Sequence, residues 1–233
     1  MIVLGFDTAT SATAVALRRT DGTVSEARDD PPTGAHPGHA TRLLRMSDEL
    51  LRVADVAPSA IDRIAVGTGP GTFTGLRVGL ATARGLAQSS DAELVGISSL
   101  RALAAPALAA GRPVLAAIDA RRGEVFTALY GPDGEALTEP RALAPTDLAA
   151  LVAEAGAAEP PLAVGDGVLR YPAEVRGAGA EPAAESSPLH LVSAGAVCAL
   201  GLGTIPGPYA EVVPDYLRRP DAELALARRG GDA

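Results

Sequence analysis

The sequence predicts an α/β protein built from two related halves, on three observations. The stretch VLGFDTATSATAVALRRTDGTV aligns without gaps on a later stretch at an offset of 112, which places Asp7 on Asp119 and the Asp-Gly pair at 21–22 on that at 133–134. Strand and helix patterns alternate along the first half. The 233 residues are 47% hydrophobic and 21% charged, which is typical of a folded chain. Two unrelated hairpins are the alternative interpretation of the repeat, because Asp-Gly turns are common.

Each copy of the repeat predicts the same three strands. An apolar strand ends in an aspartate, a second strand alternates in polarity, and the Asp-Gly pair turns the chain into a third. The repeat predicts two domains, residues 1–111 and residues 112–233.

The first half continues as helix, strand, helix, strand and helix. The stretch ATRLLRMSDELLRVA predicts an amphipathic helix that begins near Gly38, and RIAVGTG predicts a strand. The stretch TFTGLRVGLATARGLAQ predicts a second helix, with Thr72 or Thr74 as its N-cap. ELVGIS predicts a strand, and SLRALAAPALAAG predicts a helix that bends at Pro106 and ends at Gly111.

The second half has fewer helical patterns. After its three strands we expect a helix near residues 147–155, a strand in PLAVGDG and a helix over residues 193–202. The Gly, Ala, Pro and Glu content of residues 166–188 predicts a mobile loop, and the tail after Arg218 is expected to fray.

Composition excludes several classes of function. All 20 basic residues are arginine, so mechanisms that need a lysine, such as PLP catalysis or a Walker NTPase, are excluded. A net charge of -8 disfavours a large nucleic-acid footprint but allows a local patch. The start MIVLGFD predicts a strand and no leader, and we expect a cytoplasmic chain without membrane spans. The single cysteine, Cys198, predicts a small buried thiol.

Asp7 and Asp119 are the candidate chemical groups. Each ends the first strand of its half, and ligands of α/β sheets bind at the carboxyl ends of strands. A pair of carboxylates there could hold Mg²⁺ or orient a water molecule. The alternative is that each carboxylate only accepts backbone N–H bonds in its own turn.

The densest motif is GTGPGTFTGLRVG, which starts at Gly67 and is neither a Rossmann fingerprint nor a P-loop. In the helix that follows it, a stripe of small residues recurs every four positions: Gly75, Gly79, Ala83 and Ala87. The stripe allows another helix to approach closely, or it packs on the chain's own sheet. The leucines of the preceding helix could complete a bundle with a partner.

The histidines give little support to a peptidase. His36 and His39 lack the glutamate of a zincin motif, and His190 is isolated. Ser98 and Ser99 have no evident base.

Several motifs together resemble a known family. FDTATSATAVAL, ATRLLRMSDELL after His39, GTGPGTFTGLRVGLATARGLA, GISSLRALA, AAIDARRGEVFTALY and AEVVPDYLRR are similar to the TsaB (YeaZ) family of bacterial tRNA threonylcarbamoyladenosine biosynthesis proteins. The resemblance extends from Met1 to about Pro220. It implies an actin-like ATPase (ASKHA) fold of two RNase H-like halves, each with a mixed sheet flanked by helices.

The resemblance implies a non-catalytic subunit. A related partner, TsaD, holds the metal and nucleotide and transfers a threonylcarbamoyl group to the adenosine beside the anticodon of ANN-decoding tRNAs, and an ATPase, TsaE, joins them. We expect a homodimer when the chain is alone, contact with tRNA only through the complex, and no tightly bound cofactor, since ATP and Mg²⁺ are used by the partners.

The resemblance also assigns residues. The two helices after the third strand pair with a partner through Leu43, Leu44, Leu50, Leu51, Gly75, Gly79, Ala83 and Ala87. Asp7, Thr8 and Asp119 line a vestigial phosphate and Mg²⁺ cleft, because Ala9 stands where active relatives have glycine. The alternative function is an actin-like ATPase or small-molecule kinase that uses Asp7 and Asp119 with Mg²⁺.

Overall fold

The structure, a computed structural model, describes residues 1–32, 35 and 37–218. Its first sheet has the strand order β3-β2-β1-β4-β5. The strands are β1 Val3–Asp7, β2 Thr13–Arg18, β3 Val24–Asp29, β4 Arg63–Gly69 and β5 Glu93–Ser98. β1, β2 and β3 form an antiparallel meander, and β4 and β5 extend the sheet parallel to β1. The sheet is therefore mixed, as predicted.

The second sheet repeats this topology with the strand order β8-β7-β6-β9-β10. Its strands are β6 Val114–Arg121, β7 Glu124–Tyr130, β8 Arg141–Leu143, β9 Leu162–Val164 and β10 Glu181–Pro182. β6 pairs antiparallel with β7 and parallel with β9, as β1 does with β2 and β4. The internal repeat is therefore confirmed as a structural duplication.

The duplication extends to single hydrogen bonds. Asp7 accepts the backbone N–H of Ala9 at 2.8 Å, and Asp119 accepts that of Arg121 at 2.9 Å. In the Asp-Gly turns, residue 21 accepts the N–H of residue 23 and residue 133 that of residue 135. Every one of these pairs is related by the offset of 112.

The helices flank the sheets. Their bounds are α1 His39–Val53, α2 Phe73–Ser90, α3 Ser99–Ala104, α4 Leu148–Ala155, α5 Asp166–Arg170, α6 Pro172–Gly177 and α7 Ala194–Gly203. α1 and α2 cover one face of the first sheet, with a core that contains Leu4, Phe6, Val15 and Leu43. α3 and α7 contribute to a second core that draws on both sheets. A third core lies between the second sheet and α4.

Local chemistry explains where these helices begin and end. The hydroxyls of Ser98 and Ser193 accept backbone N–H bonds at the starts of α3 and α7. Thr72 is the N-cap residue of α2, but its side chain makes no capping bond; its backbone N–H instead donates to the carbonyl of Ala9 at 2.7 Å. The chain changes from α3 to a 3₁₀ segment at Ala105, next to Pro106, where the bend is predicted.

Helix α7 belongs to the second half of the chain but packs on the first sheet. Cys198 of α7 lies so close to β1 that a Cβ at Gly5 would meet its sulfur at 2.5 Å. The buried Arg63 guanidinium accounts for the end of α7, since it donates to the carbonyls of Gly201 and Thr204 and pairs with Glu93 at 2.6 Å. The predicted boundary at residues 111/112 thus separates the two sheets, but one hydrophobic core contains residues from both sides of it. As a domain boundary it stays a prediction.

One predicted loop is wrong. Residues 166–188 contain α5, α6 and β10, and β10 pairs with β9 at the edge of the second sheet. His190 helps to order this region, because its ring accepts the N–H of Gly165 at 3.1 Å and faces the carbonyl of Ala184 at 3.1 Å. The predicted fraying after Arg218 lies outside the described residues.

Candidate functional site

Asp7 lies at the end of β1 with its carboxylate enclosed by the protein. One oxygen accepts the Ser99 hydroxyl at 2.5 Å, and the other accepts the backbone N–H of Ala9 at 2.8 Å. A Cβ at Gly67 would overlap the carboxylate, so the glycine lets β4 run directly beside it. Burial raises the pKa of Asp7, against the lowering effect of the bonds from Ser99 and Ala9.

The turn after Asp7 is closed by the start of α2. The Thr8 hydroxyl donates to the carbonyl of Gly75 at 2.8 Å, and a Cβ at Gly71 would overlap Ala9. Thr8 and Ala9 have no exposed surface. The residues at this turn do not fit a Mg²⁺-nucleotide, because both carboxylate oxygens are engaged and the backbone that would approach a phosphate is covered.

Asp119, the equivalent acid of the second half, has different neighbours. Its side chain is 7% exposed and lies 3.4 Å from the Arg121 guanidinium and 3.5 Å from that of Arg170. Its backbone N–H donates to Asp166 at 2.9 Å. Burial is the main cause of the raised pKa of Asp166. Asp7 and Asp119 each accept a backbone N–H in their own turn, as the alternative interpretation stated, and neither is a free carboxylate.

The structure places much of the predicted partner interface inside the chain. The following residues are buried inside the chain: Leu43, Leu51, Gly75, Gly79, Ala83 and Ala87. The small-residue stripe faces the first sheet, since a Cβ at Gly79 would overlap the Thr8 hydroxyl. Intramolecular packing, the other interpretation of the stripe, therefore explains it. Leu44 is 50% exposed and Leu50 is half-buried, so these two remain at the surface.

The outward surface of α1 and α2 still has the features of a docking face. A groove of about 240 Å³ lies between the two helices, with Leu44, Leu86 and Ile61 in its lining. On α2, Ala81 and Gly85 are exposed, and no atom lies within 4 Å of a Cβ placed on Gly85. A second set of small residues, four positions apart, thus faces outward. Exposure could not be assigned from the sequence, because both α2 stripes have similar composition.

Other predicted groups have structural roles. The His39 ring lies 2.9 Å from the Thr13 hydroxyl and is buried, whereas His36 lies outside the described residues. Cys198 is buried as predicted, and burial raises the pKa of its thiol to about 12. Within the ranges given above, no three His, Cys, Asp or Glu side chains converge as a metal site would require. No helix in the described part of the chain is long and apolar enough to cross a membrane.

Sequence reasoning missed Ser99, Asp166, Arg121 and Arg170 as neighbours of the two acids. Ser99 begins α3 and Asp166 begins α5, so each reaches its acid only through tertiary contacts. The repeat could have indicated Arg121 as a neighbour of Asp119, since the offset of 112 that relates Asp7 to Asp119 also relates Ala9 to Arg121.

The duplicated sheets around a shared core define the class of protein, which is an actin-like (ASKHA) fold. In this chain the turn after Asp7, at the end of β1, is closed by the start of α2. Residues 30–173 match the family model described as TsaD, tRNA N6-adenosine threonylcarbamoyltransferase. A solved structure titled YeaZ from Pseudomonas aeruginosa superimposes with a TM-score of 0.72 at 28% identity, over 93% of this chain and 99% of that one. Another, titled an uncharacterized protein with similarity to peptidase YEAZ from Pseudomonas aeruginosa, gives 0.75 at 30% identity, over 93% and 99% of the chains.

Sequence relatives agree. The tRNA threonylcarbamoyladenosine biosynthesis protein TsaB of Escherichia coli is 40% identical over 135 residues, which is 57% of this chain and 56% of that protein. The aligned region thus spans just over half of this curated relative. The uncharacterized protein Mb3455c of Mycobacterium bovis is 36% identical over 95% of this chain and 93% of its own. The chain therefore carries a TsaD-like domain and belongs to the TsaB (YeaZ) family.

Proposed function

We propose that this chain is the non-catalytic scaffold subunit of a complex that makes threonylcarbamoyladenosine in tRNA. A TsaD-like subunit would be the catalytic partner and a TsaE-like ATPase the third component. The TsaB relatives indicate the pathway, and the closed turn at Asp7 supports the scaffold role. Because tRNA is modified where it is used, we expect the complex in the cytoplasm.

The closed turn is the observation that carries the non-catalytic assignment. A phosphotransferase of this fold needs an acid free to act on Mg²⁺ or water, but Asp7 is 1% exposed and bonded at both oxygens. The kinase alternative has correspondingly little support. We infer that ATP and Mg²⁺ act on the partners and that this chain binds neither tightly.

The docking face would be the outward side of α1 and α2. Leu44 and the groove beside it offer apolar surface, and Gly85 allows a partner helix to come close. The same face would pair two copies of the chain when the partner is absent.

Reconstitution tests the function. The TsaD-like and TsaE-like partners, ATP, the threonylcarbamoyl-adenylate source and unmodified tRNA are combined with and without this chain, and modified adenosine is measured by mass spectrometry. We expect modification only with the chain present. Equal modification in its absence would refute the scaffold role, as would ATP turnover by the chain alone.

Two variants test the docking face. Gly85→Leu adds bulk where the structure has open space, and Leu44→Arg places a charge beside the groove, so both should fold but fail to co-purify with the partner. Leu137→Arg is the matched control, because Leu137 is 40% exposed and lies beyond β7 in the second half. Normal assembly by both α1–α2 variants would contradict the assigned face.

A further inference from the structure

Two arginines converge at the carboxyl end of the second sheet. Arg121 ends β6 and Arg170 ends α5, and one nitrogen of each guanidinium lies 3.4 Å and 3.5 Å from the same oxygen of Asp119. The arginine side chains are 60% and 53% exposed, whereas that of Asp119 is 7% exposed. The acid therefore lies inside and orients two guanidiniums that are each more than half exposed.

The backbone that presents Arg121 is unusual. The non-glycine residues with positive φ in the described chain are Asp55, Asp91, Arg121 and Arg122. The two aspartates follow α1 and α2, where this residue type adopts the left-handed conformation readily. The arginines precede Gly123 in the β6–β7 turn, at φ of 64° and 56°, where Asn, Asp or Gly would be the common choice. The hairpin thus holds arginine at positions that local geometry does not favour.

The nearby acids do not cancel the exposed cations. Asp166 accepts the backbone N–H of Asp119 at 2.9 Å and is partly buried, whereas both guanidiniums are more than half exposed. Glu124 pairs with Arg218 at 2.9 Å. Arg170 is positioned a second time by the Tyr171 hydroxyl, 3.1 Å from its Nε. The outer surface of the cluster is therefore cationic and preordered on a chain whose net charge is -8.

We propose that Arg121 and Arg170 form a binding site for the phosphodiester backbone of RNA. Guanidinium forks match phosphate oxygens, and contacts of this kind position a nucleic acid without reading its sequence. Exposure of more than half of each arginine suits an extended backbone better than an enclosed small ligand. A single pair fits an acidic subunit that guides RNA bound mainly by a partner. The choice of RNA rests on the proposed function.

The test is the salt dependence of tRNA binding by the assembled complex with TsaD-like partner. In the double variant Arg121→Gly, Arg170→Gln, glycine adopts the positive φ freely, so the turn is kept while both cations are lost. Each phosphate contact contributes about one unit to the slope of log K against log salt, so the slope should fall by about 2. Between 50 and 200 mM salt, wild type should then lose about tenfold more affinity than the variant.

The control is Arg112→Gln, Arg141→Gln. These arginines are also paired with acids, Glu181 and Glu154, and the change in net charge is the same. Arg112 precedes β6, whereas Arg121 ends it, and Arg141 begins β8, where it pairs with Thr127 in the middle of β7. It should bind tRNA with the wild-type slope, and thermal unfolding of both variants checks that they are folded.

The outcomes separate this proposal from the proposed function. Failure of the wild-type chain to co-purify with the partner would refute the function before any RNA is added. Normal assembly with an unchanged slope in the Arg121/Arg170 variant would overturn the RNA site. Saturable binding of ATP or inorganic phosphate to the chain alone, lost in that variant while its tRNA slope stays normal, would assign the arginines to a small phosphate ligand and overturn the proposal as stated.

Discussion

The two faces of α2 can be distinguished by the same substitution at two glycines. Gly79 faces the first sheet, where a new Cβ would overlap the Thr8 hydroxyl, with Val66 a further 3.7 Å neighbour. Gly85 faces outward, with no atom within 4 Å of the new Cβ. Both lie in the interior of the same helix, so alanine improves helix propensity equally at each site. Any difference between the two variants therefore reports packing.

The structure sets the size of that difference. Thr8 is fully buried, and its hydroxyl donates to Gly75 at 2.8 Å, so it cannot rotate away from a Gly79→Ala methyl without losing that bond. The lost bond costs about 1 kcal/mol, and overpacking adds about 1–3 kcal/mol. Helix propensity returns about 0.5–1 kcal/mol. We expect Gly79→Ala to destabilise by about 2 kcal/mol and Gly85→Ala to stabilise by about 0.5–1 kcal/mol.

Urea unfolding followed by circular dichroism measures both values. A third measurement, in a Thr8→Ala background, identifies the cause, because the overlapping hydroxyl is then absent. Gly79→Ala should lower the unfolding free energy only slightly in that background, which corresponds to a coupling energy of about 1–2 kcal/mol between the two positions. If Gly79→Ala is as stable as Gly85→Ala, or if the cost persists without the Thr8 hydroxyl, the assignment of the stripe to intramolecular packing is refuted.

Three other changes test the interior. Thr127 is fully buried and its hydroxyl has no hydrogen-bond partner, so Thr127→Val should stabilise by about 1 kcal/mol, a rise in Tm of about 2–4 °C, whereas Thr127→Ser should not. Burial raises the pKa of Asp7 above the 3.8 of an unfolded chain, so its contribution to stability is complete below pH 3.8 and is lost as pH rises through the folded pKa. Asp7→Asn should therefore weaken the fall in unfolding free energy as pH rises from 3.8 through the folded pKa, and an unchanged pH profile would contradict this. Arg63→Met removes the donors that end α7 and should destabilise by about 3 kcal/mol, while Arg52→Gln, which breaks an exposed pair, should cost under about 0.5 kcal/mol in the same unfolding assay.

Local patterns predicted most of the first half of the fold. The strands β1 and β2 and the helices α1 and α2 have clear periodicity and turn residues at their ends, so sequence alone defines them to within a few positions. The repeat predicted strands of the second sheet, because β7 corresponds to β2 at the offset of 112 with nearly the same bounds. These elements are specified by neighbours in the chain.

Long-range contacts determined what the sequence did not show. Residues 166–188 are rich in loop-forming types, yet β10 forms because β9 offers a parallel edge, and His190 fixes Gly165 from 25 residues away. Which α2 stripe is buried depends on Thr8, which lies in the turn between β1 and β2. No local pattern distinguishes Gly79 from Gly85, and the resemblance to a family with a helical interface assigned the stripe that the structure buries.

The starts of two equivalent helices meet the repeated turns differently. The helix after β4 has 18 residues, and its start covers the first turn, where Ala9 is buried under Thr72 and Gly71. The helix after β9 has five residues, and Arg121, the counterpart of Ala9, is open to solvent. The same carboxylate-to-backbone hydrogen bond shapes both turns. This bond alone therefore does not indicate whether a turn is buried or open to a ligand. Closure of the first turn is consistent with the proposed docking role of α1 and α2 in that half, and exposure of the second turn lets Arg121 join Arg170 in the proposed RNA contact.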